Sequence, residues 1–479
     1  MMNKQPNLIY IFADQLRYSS VGYNGDRKAC TPNIDRLASQ SIDMCNAVSG
    51  HPVCAPYRAS LFTGKYTTST GMVINEIRLN PNHRSFAHVL NENGYETSYI
   101  GKWHMYAAEL GNHLDPKNSY IPKGPDRLGF DGYFAAYNFH HDYYGATAYY
   151  HLDSPEKIYC DKYEPDTQTD MAMEQLNNLS KGDKPFALFL SLGTPHDPWI
   201  PQNVPGEYFE RFKDVDFPLP PNYLPENDPH ADAWAQLSEQ ERSELSNWMR
   251  CYYAMTANLD DNIGRIMDHI KTLGLDENTI VVFTSDHGEL FGAHGRRAKN
   301  IFYEEAIRVP FLIRRQGALE QGVKRDVVFN TVDIMPTLLS MMELPIPETV
   351  EGSDYSRCVT GEADNNEGAL MMCTGPTATF GDGNEWRAYR TKQYTYAIFK
   401  SDGQELLFDN LADPFQMNNL AGNPEYATIQ AKLKAAMWNK MNKISDTFEN
   451  NTYYQENWVE NRLIMRTATS EYCDYVSNS

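Results

Sequence analysis

Several short apolar runs in this chain stop abruptly at polar, chemically capable residues, and helical patterns lie between them. That alternation constrains the fold more than any other feature. Asn7–Phe12 gives way to Ala13-Asp14-Gln15, and Thr97–Ile100 runs into Gly101-Lys102-Trp103-His104. Phe186–Leu192 ends at Gly193-Thr194-Pro195-His196-Asp197-Pro198, and Thr279–Thr284 ends at Ser285-Asp286-His287-Gly288. Strands that alternate with helices predict an α/β fold with a mostly parallel sheet flanked by helices. In open sheets of this kind ligands lie beyond the carboxyl ends of the strands, so these clusters are placed to converge.

The helices have their own punctuation. Thr31-Pro32 opens one that runs through Leu37, Pro56 opens another just after Cys54 with Gly64 as its stop, and Ser85–Asn93 ends at Gly94. Further helices are expected at 168–180, across 238–273 and from Asp333 to Met342, with a strand at Val309–Ile313. Residues 105–165, rich in Tyr, His, Asp, Gly and Pro, show no period and read as a long excursion on the loop face. From about 365 the texture changes to short strands (Ala369–Cys373, Trp386–Tyr389, Tyr394–Phe399, Glu405–Phe408) and a helix near 425–442. We therefore expect a catalytic domain over 1–364 and a smaller C-terminal subdomain over 365–479, an antiparallel sheet plus a helix. The tail 444–479 has no legible pattern.

Charge narrows the function. With 42 Lys and Arg against 63 Asp and Glu, the chain carries −21, which argues against nucleic acid and anionic membrane as partners. An anionic substrate would need a local cluster of Lys, Arg and metal. The longest apolar runs, such as Leu8–Ala13, are too short to cross a bilayer. Met1–Pro6 leads into the first strand with no apolar leader, so the chain reads as cytoplasmic, although a removed leader would leave the same sequence. The eight Cys are scattered without a CxxC pair, against a disulfide framework or a zinc ribbon.

The strand-end residues suggest chemistry. Asp14, Asp286 and His287 form an oxygen-rich set suited to a hard divalent cation, although Asp14 alone is more often a strand-end cap and Asp286-His287-Gly288 is equally a turn. Lys102, His104, His196 and Lys299 can bind an anionic ester and move protons; a lone histidine is more often a satisfied structural residue, and His140 and His141 are read that way. Trp103 and Trp199 fit a sugar-facing wall or ordinary core packing equally. Cys54, at the start of a helix and near Arg58, is placed to sit beside an anion, though a buried structural thiol is the commoner case.

At this point the residues resemble a family. His51-Pro52-Val53-Cys54-Ala55-Pro56-Tyr57-Arg58-Ala59-Ser60-Leu61-Phe62-Thr63-Gly64 is similar to the signature of the type I sulfatases, which share the alkaline phosphatase-like fold. Pro6–Gln15, Thr31–Ala38, Gly101–His104, Pro195–Pro198, Ser285–Glu289, Lys299 with Glu304-Glu305 and Arg308-Val309-Pro310, and Leu406–Asp409 with Asp413-Pro414 follow in the family's order. The resemblance implies a sulfuric ester hydrolase acting on a sulfated carbohydrate, with Cys54 oxidised to formylglycine (3-oxoalanine) by a formylglycine-generating enzyme. It implies Ca²⁺, or Mg²⁺, held by Asp14, Gln15, residue 54, Asp286 and His287. Arg58 and Lys102 would orient nucleophile and sulfate, His104 would be the base of the final elimination, His196 and Lys299 would protonate the leaving oxygen, and Asn75 would touch the sulfate. Three positions depart from the pattern: Tyr57 replaces the usual Ser, Gln15 a second Asp, and His287 an Asn. The last two also resemble phosphodiester and phosphonate monoester hydrolases of the superfamily, which is the alternative reading.

Overall fold

The structure, a computed structural model, describes residues 5–107 and 114–470. Residues 108–113 of the expected excursion and 471–479 of the tail, Cys473 among them, lie outside the described residues, as do the first four residues of the leader reading. Eight strands form the central sheet: β1 Asn7–Ala13, β2 Ile42–Val48, β3 Glu96–Lys102, β4 Phe134–Tyr137, β5 Phe186–Leu192, β6 Thr279–Ser285, β7 Phe311–Arg314 and β8 Val323–Asn330. Their order is β8-β2-β7-β6-β1-β5-β3-β4. All pairings are parallel except those of β7, which runs antiparallel to β2 and β6. The mostly parallel α/β expectation holds.

Strand β1 shows why the sheet is buried on both sides. Leu8, Tyr10 and Phe12 enter one core while Ile9, Ile11 and Ala13 enter the other, as the two-residue period of a strand requires. The covering helices are α1 Pro32–Ser39, α2 Cys54–Thr63, α3 Phe86–Glu92, α4 Glu164–Leu179, α5 Glu239–Thr272 and α6 Thr331–Met341. Helices α2, α3 and α6 cover the first face, and α1, α4 and α5 the second. Local chemistry sets their ends: Ser238 and Glu241 close a capping box at the start of α5, and Gly64 ends α2 in the left-handed conformation at φ 65°.

Two features differ from the expectation. The stretch 105–165 is more than a loop, because β4 within it pairs with β3 and extends the sheet. Strands β2 and β8 come from segments whose charged residues hid them.

After β8 the chain builds a four-stranded antiparallel sheet from β9 Ala369–Cys373, β10 Trp386–Arg390, β11 Tyr394–Phe399 and β12 Glu405–Asp409. Ala369, Met371 and Cys373 share a core with Leu290 and Phe302. Leu370 and Met372 face helix α7 Ala427–Lys443 through Leu433, Met437 and Met441. The tail then returns: Tyr454 and Trp458 of α8 Asn451–Trp458, with Ile464, join the core on the first face of the central sheet.

Candidate active site

Register brings the strand-end residues together. Ala13 of β1 lies opposite Leu192 of β5 and Ser285 of β6, so the next residues along, Asp14, Gly193 and Asp286, leave the sheet at one level. Gly101 in β3 needs its missing side chain, since a β-carbon there would overlap the carbonyl oxygen of Ser191 on β5. That close approach holds Lys102 against the same edge.

The centre is a buried cluster of ligand atoms. One atom each from Asp14, Cys54, Asp286 and His287 lies within 4.8 Å of all the others. Cys54 Sγ is 3.2 Å from His287 Nε2 and 3.6 Å from Asp14 Oδ1. His287 Nδ1 faces the Gly288 carbonyl oxygen at 3.1 Å. A carbonyl can only accept, so Nδ1 carries the proton and Nε2 keeps its lone pair for the cluster. Asp286 Oδ1 accepts the Gln15 backbone N–H at 3.0 Å, while the buried Oδ2 finds no hydrogen bond among the described residues. Burial and the charge of Asp14 push the Asp286 carboxyl up. Asp14 is opposed by burial and by Cys54, but Lys102, His196 and Arg58 hold it below the usual carboxylate range. Two buried carboxylates, an orphaned oxygen and an imidazole lone pair that faces Cys54 are a donor set that fits a divalent cation.

Cations ring the cluster. Lys102 Nζ donates to Asp14 Oδ2 at 2.6 Å. Arg58 Nη2 lies 3.3 Å from Asp14 and 3.6 Å from Asp286, and its Nη1 donates to the Lys102 carbonyl and Ser191 Oγ at 2.6 and 2.7 Å. Burial alone would raise the Cys54 thiol, yet Lys102, Lys299 and His287 hold it well below the ordinary thiol range. At the start of α2 the Ala55 N–H is satisfied by Asn75 Oδ1 at 3.0 Å. Tyr57 packs into the core on the first face of the sheet.

Lys299 Nζ bridges Gln15 Oε1 at 2.9 Å and His196 Nε2 at 2.8 Å. Burial and Lys299 act to lower His196, but Asp197, 3.0 Å from its Nδ1, and Asp14 carry it up to about 9. Two nitrogens 2.8 Å apart need a lone pair on one of them, so the pair works as one shared proton store. His104 packs tilted against Phe139 with ring centroids 4.5 Å apart, its Nε2 lies 3.5 Å from Glu76 Oε1, and neither ring nitrogen closes a hydrogen bond among the described residues. Gln15 (φ 71°) and His104 (φ 55°) are left-handed, and Lys299 stands between left-handed Ala298 and Asn300. Such conformations cost roughly 1–2 kcal/mol per residue.

The structure thus gathers Asp14, Cys54, Asp286 and His287 with Arg58, Lys102, His196, Lys299 and Gln15 around one point. Sequence reasoning missed several partners. Glu289 Oε2 holds Gln15 Nε2 at 2.5 Å, and His141 stacks flat on His196 at 3.9 Å and 5°. His140 is the structural residue it was read to be, bonded to the Tyr149 carbonyl and 3.2 Å from Glu164. Trp103 resolves to core packing among Phe62, Tyr99 and Phe130. No helix among the described residues is long and apolar enough to cross a membrane.

Comparison with known proteins agrees with this geometry. Residues 6–344 match the family described as Sulfatase, and residues 292–443 the one described as N-sulphoglucosamine sulphohydrolase, C-terminal. The chain is 40% identical over 456 residues to an ulvan-active sulfatase of Formosa agariphila, covering 94% of this chain and 84% of that one. It is 26% identical over 499 residues to an N-acetylglucosamine-6-O-sulfatase of Bacteroides thetaiotaomicron, covering 90% and 85%. A crystal structure of a sulfatase-family protein, yidJ, from Bacteroides fragilis superposes with a TM-score of 0.82 at 31% identity, covering 94% of this chain and 97% of the other.

Proposed function

The chain belongs to the sulfatase family, and from that premise we propose that it removes sulfate from a sulfated carbohydrate, with residue 54 as the nucleophile after conversion to formylglycine. The observation that carries the proposal is the buried meeting of Asp14, Cys54, Asp286 and His287. The carbohydrate assignment is supported by relatives named for ulvan and N-acetylglucosamine-6-O-sulfate. Every residue invoked falls within 1–364, read as the catalytic domain, with 365–479 as a supporting subdomain.

Asp14, Asp286 and His287, with Gln15 Oε1 beside them, would hold a divalent cation, Ca²⁺ or Mg²⁺, which would offset the two carboxylates and polarise the sulfate oxygens. Formylglycine at position 54 would supply a hydrated aldehyde, one hydroxyl to attack sulfur and a second whose deprotonation breaks the C–O bond and restores the aldehyde. The chain's own groups do the rest. Arg58 and Lys102 fix Asp14 and present positive charge where the sulfate gathers negative charge. The His196–Lys299 pair gives a proton to the leaving oxygen. His104, which faces Cys54 and helps hold its thiol low, is placed to take the proton of the final step.

Protein expressed with a formylglycine-generating enzyme should release sulfate from sulfated mono- or disaccharides; release from none of them would overturn the proposal. A second reading, phosphodiester or phosphonate monoester hydrolysis with the same nucleophile, rests on Gln15 and His287, which leave the cluster one negative charge poorer than a second Asp would. Rates on sulfate and phosphate esters with matched leaving groups decide between them.

A further inference from the structure

One step from the His196–Lys299 pair the surface opens into a pocket of about 180 Å³ lined by Trp199, Trp234, Trp248, Ile200 and Arg297. Three of the chain's seven Trp meet here. Trp199 forms the floor, tilted against Trp248 at 5.7 Å with its indole N–H on the Pro195 carbonyl at 2.8 Å. Trp234 is 39% exposed and Ile200 46%, so part of each apolar side chain stays uncovered among the described residues. The Arg297 guanidinium lies 5.6 Å from the Trp234 ring and 5.8 Å from that of Trp248. Its Nε and Nη1 are committed to the Trp234 carbonyl and Glu241 at 2.9 and 2.6 Å, and its Nη2 makes no hydrogen bond among the described residues.

The pocket's position identifies its occupant. Asp197 and Ala298 line it, the chain neighbours of His196 and Lys299, whereas His196 and Lys299 themselves do not. The ring whose oxygen is protonated must sit against His196 and Lys299, so this pocket lies one unit further along the substrate. Its volume is well under the ~300–1,000 Å³ of a drug-sized site. Indole rings beside one uncommitted guanidinium nitrogen match the two surfaces of a pyranose, an apolar C–H face and a rim of oxygen acceptors.

We propose that this tryptophan–arginine pocket binds the sugar ring adjacent to the sulfated one, so that the preferred substrate is a chain of at least two sugars. The inference rests on the carbohydrate sulfatase reading above.

Two measurements test it. The first compares kcat/KM on a sulfated monosaccharide with that on a disaccharide carrying the same sulfated ring. Wild type should favour the disaccharide, and Trp234→Ala should lose about tenfold on the disaccharide, in KM, while matching wild type on the monosaccharide. Trp234→Phe should recover most of the loss. Equal losses on both substrates, or no loss on either, would overturn the subsite. The second is a tryptophan-fluorescence titration with the desulfated disaccharide, which needs no turnover. Saturable quenching in wild type that Trp234→Ala abolishes supports the subsite even if no sulfate is released, in which case the functional reading fails alone; absence of quenching in wild type overturns the subsite.

Discussion

At the carboxyl edge of the central sheet, Asp286 keeps one buried carboxylate oxygen without a hydrogen bond, flanked by a second carboxylate. In the C-terminal sheet, Arg387 and Asp446 are buried just as fully, but every carboxylate oxygen is engaged. Arg387 grips Asp446 through Nε and Nη2 at 2.5 and 2.9 Å, its Nη1 reaches the Cys373 carbonyl at 2.7 Å, and Asp446 Oδ1 also caps the Phe448 N–H at 3.0 Å. Nearby, Arg390 holds Glu304 in the same two-pronged way. Left-handed non-glycine residues occur in both regions, at Gln15, His104, Ala298 and Asn300 in the first and at Ser445 and Phe448 beside Asp446 in the second. Burial of charge therefore does not mark function by itself. The unsatisfied Asp286 oxygen is what separates the two regions.

The sharpest way to break this contrast is to remove a charge from each side. Cys54→Ala and Asp286→Ala should lower kcat by at least ~10⁴-fold, while thermal unfolding of the metal-free protein shifts little, because losing Asp286 relieves a carboxylate repulsion. Asp446→Ala should do the reverse. It leaves Arg387 buried and unpaired, at a cost of about 3–5 kcal/mol in urea unfolding, with kcat of the folded fraction unchanged. His196→Ala tests the proton store: about 10²-fold loss on poorly acidic leaving alcohols and only a few-fold on a nitrophenyl sulfate. A uniform loss across a leaving-group series would remove His196 from the acid role.

Metal linkage sharpens the comparison further. With a divalent cation at a hundred times its Kd, chelation should lower apparent stability by about 2.7 kcal/mol. That difference should vanish in Asp286→Ala and persist in Asp446→Ala. The smallest effect concerns Asp43 on β2, where burial, partly offset by Lys324 and Arg308, pushes the carboxyl up to about 6. Folded Asp43 holds its proton more tightly than unfolded Asp43, so its contribution to stability is complete below the unfolded value of 3.8 and is lost as pH rises to about 6. Asp43→Asn should therefore raise the melting temperature at pH 8 and leave it nearly unchanged at pH 3.5.

The site was more legible than the sheet that carries it. Asp14, Lys102, His196 and Asp286 were readable because each ends a continuous apolar run, and a parallel sheet aligns such ends. Strand β2 was not readable: Asp43, Cys45 and Asn46 break its apolar run, and Asn46 is matched only across space, by Asp326 and Arg390. Strand β8 carries Lys324, Arg325 and Asp326 in its first half, where this edge strand is partly in solvent. Strand β4 is four residues long inside an aromatic stretch, too short to show a period. The antiparallel direction of β7 leaves no trace in its composition. His141 and Glu289 act through contacts with residues distant in the chain, His196 and Gln15, which no local spacing announces. Helix α8 is only eight residues long, and its Tyr454 and Trp458 are too few to set a pattern.

Mass spectrometry of the peptide spanning residue 54, taken from the most active preparation, is the most direct test of the whole account. An aldehyde or its hydrate in place of the thiol, in a proportion that tracks specific activity across preparations, is the predicted result. Full sulfate-releasing activity from protein whose Cys54 is an intact thiol would contradict it.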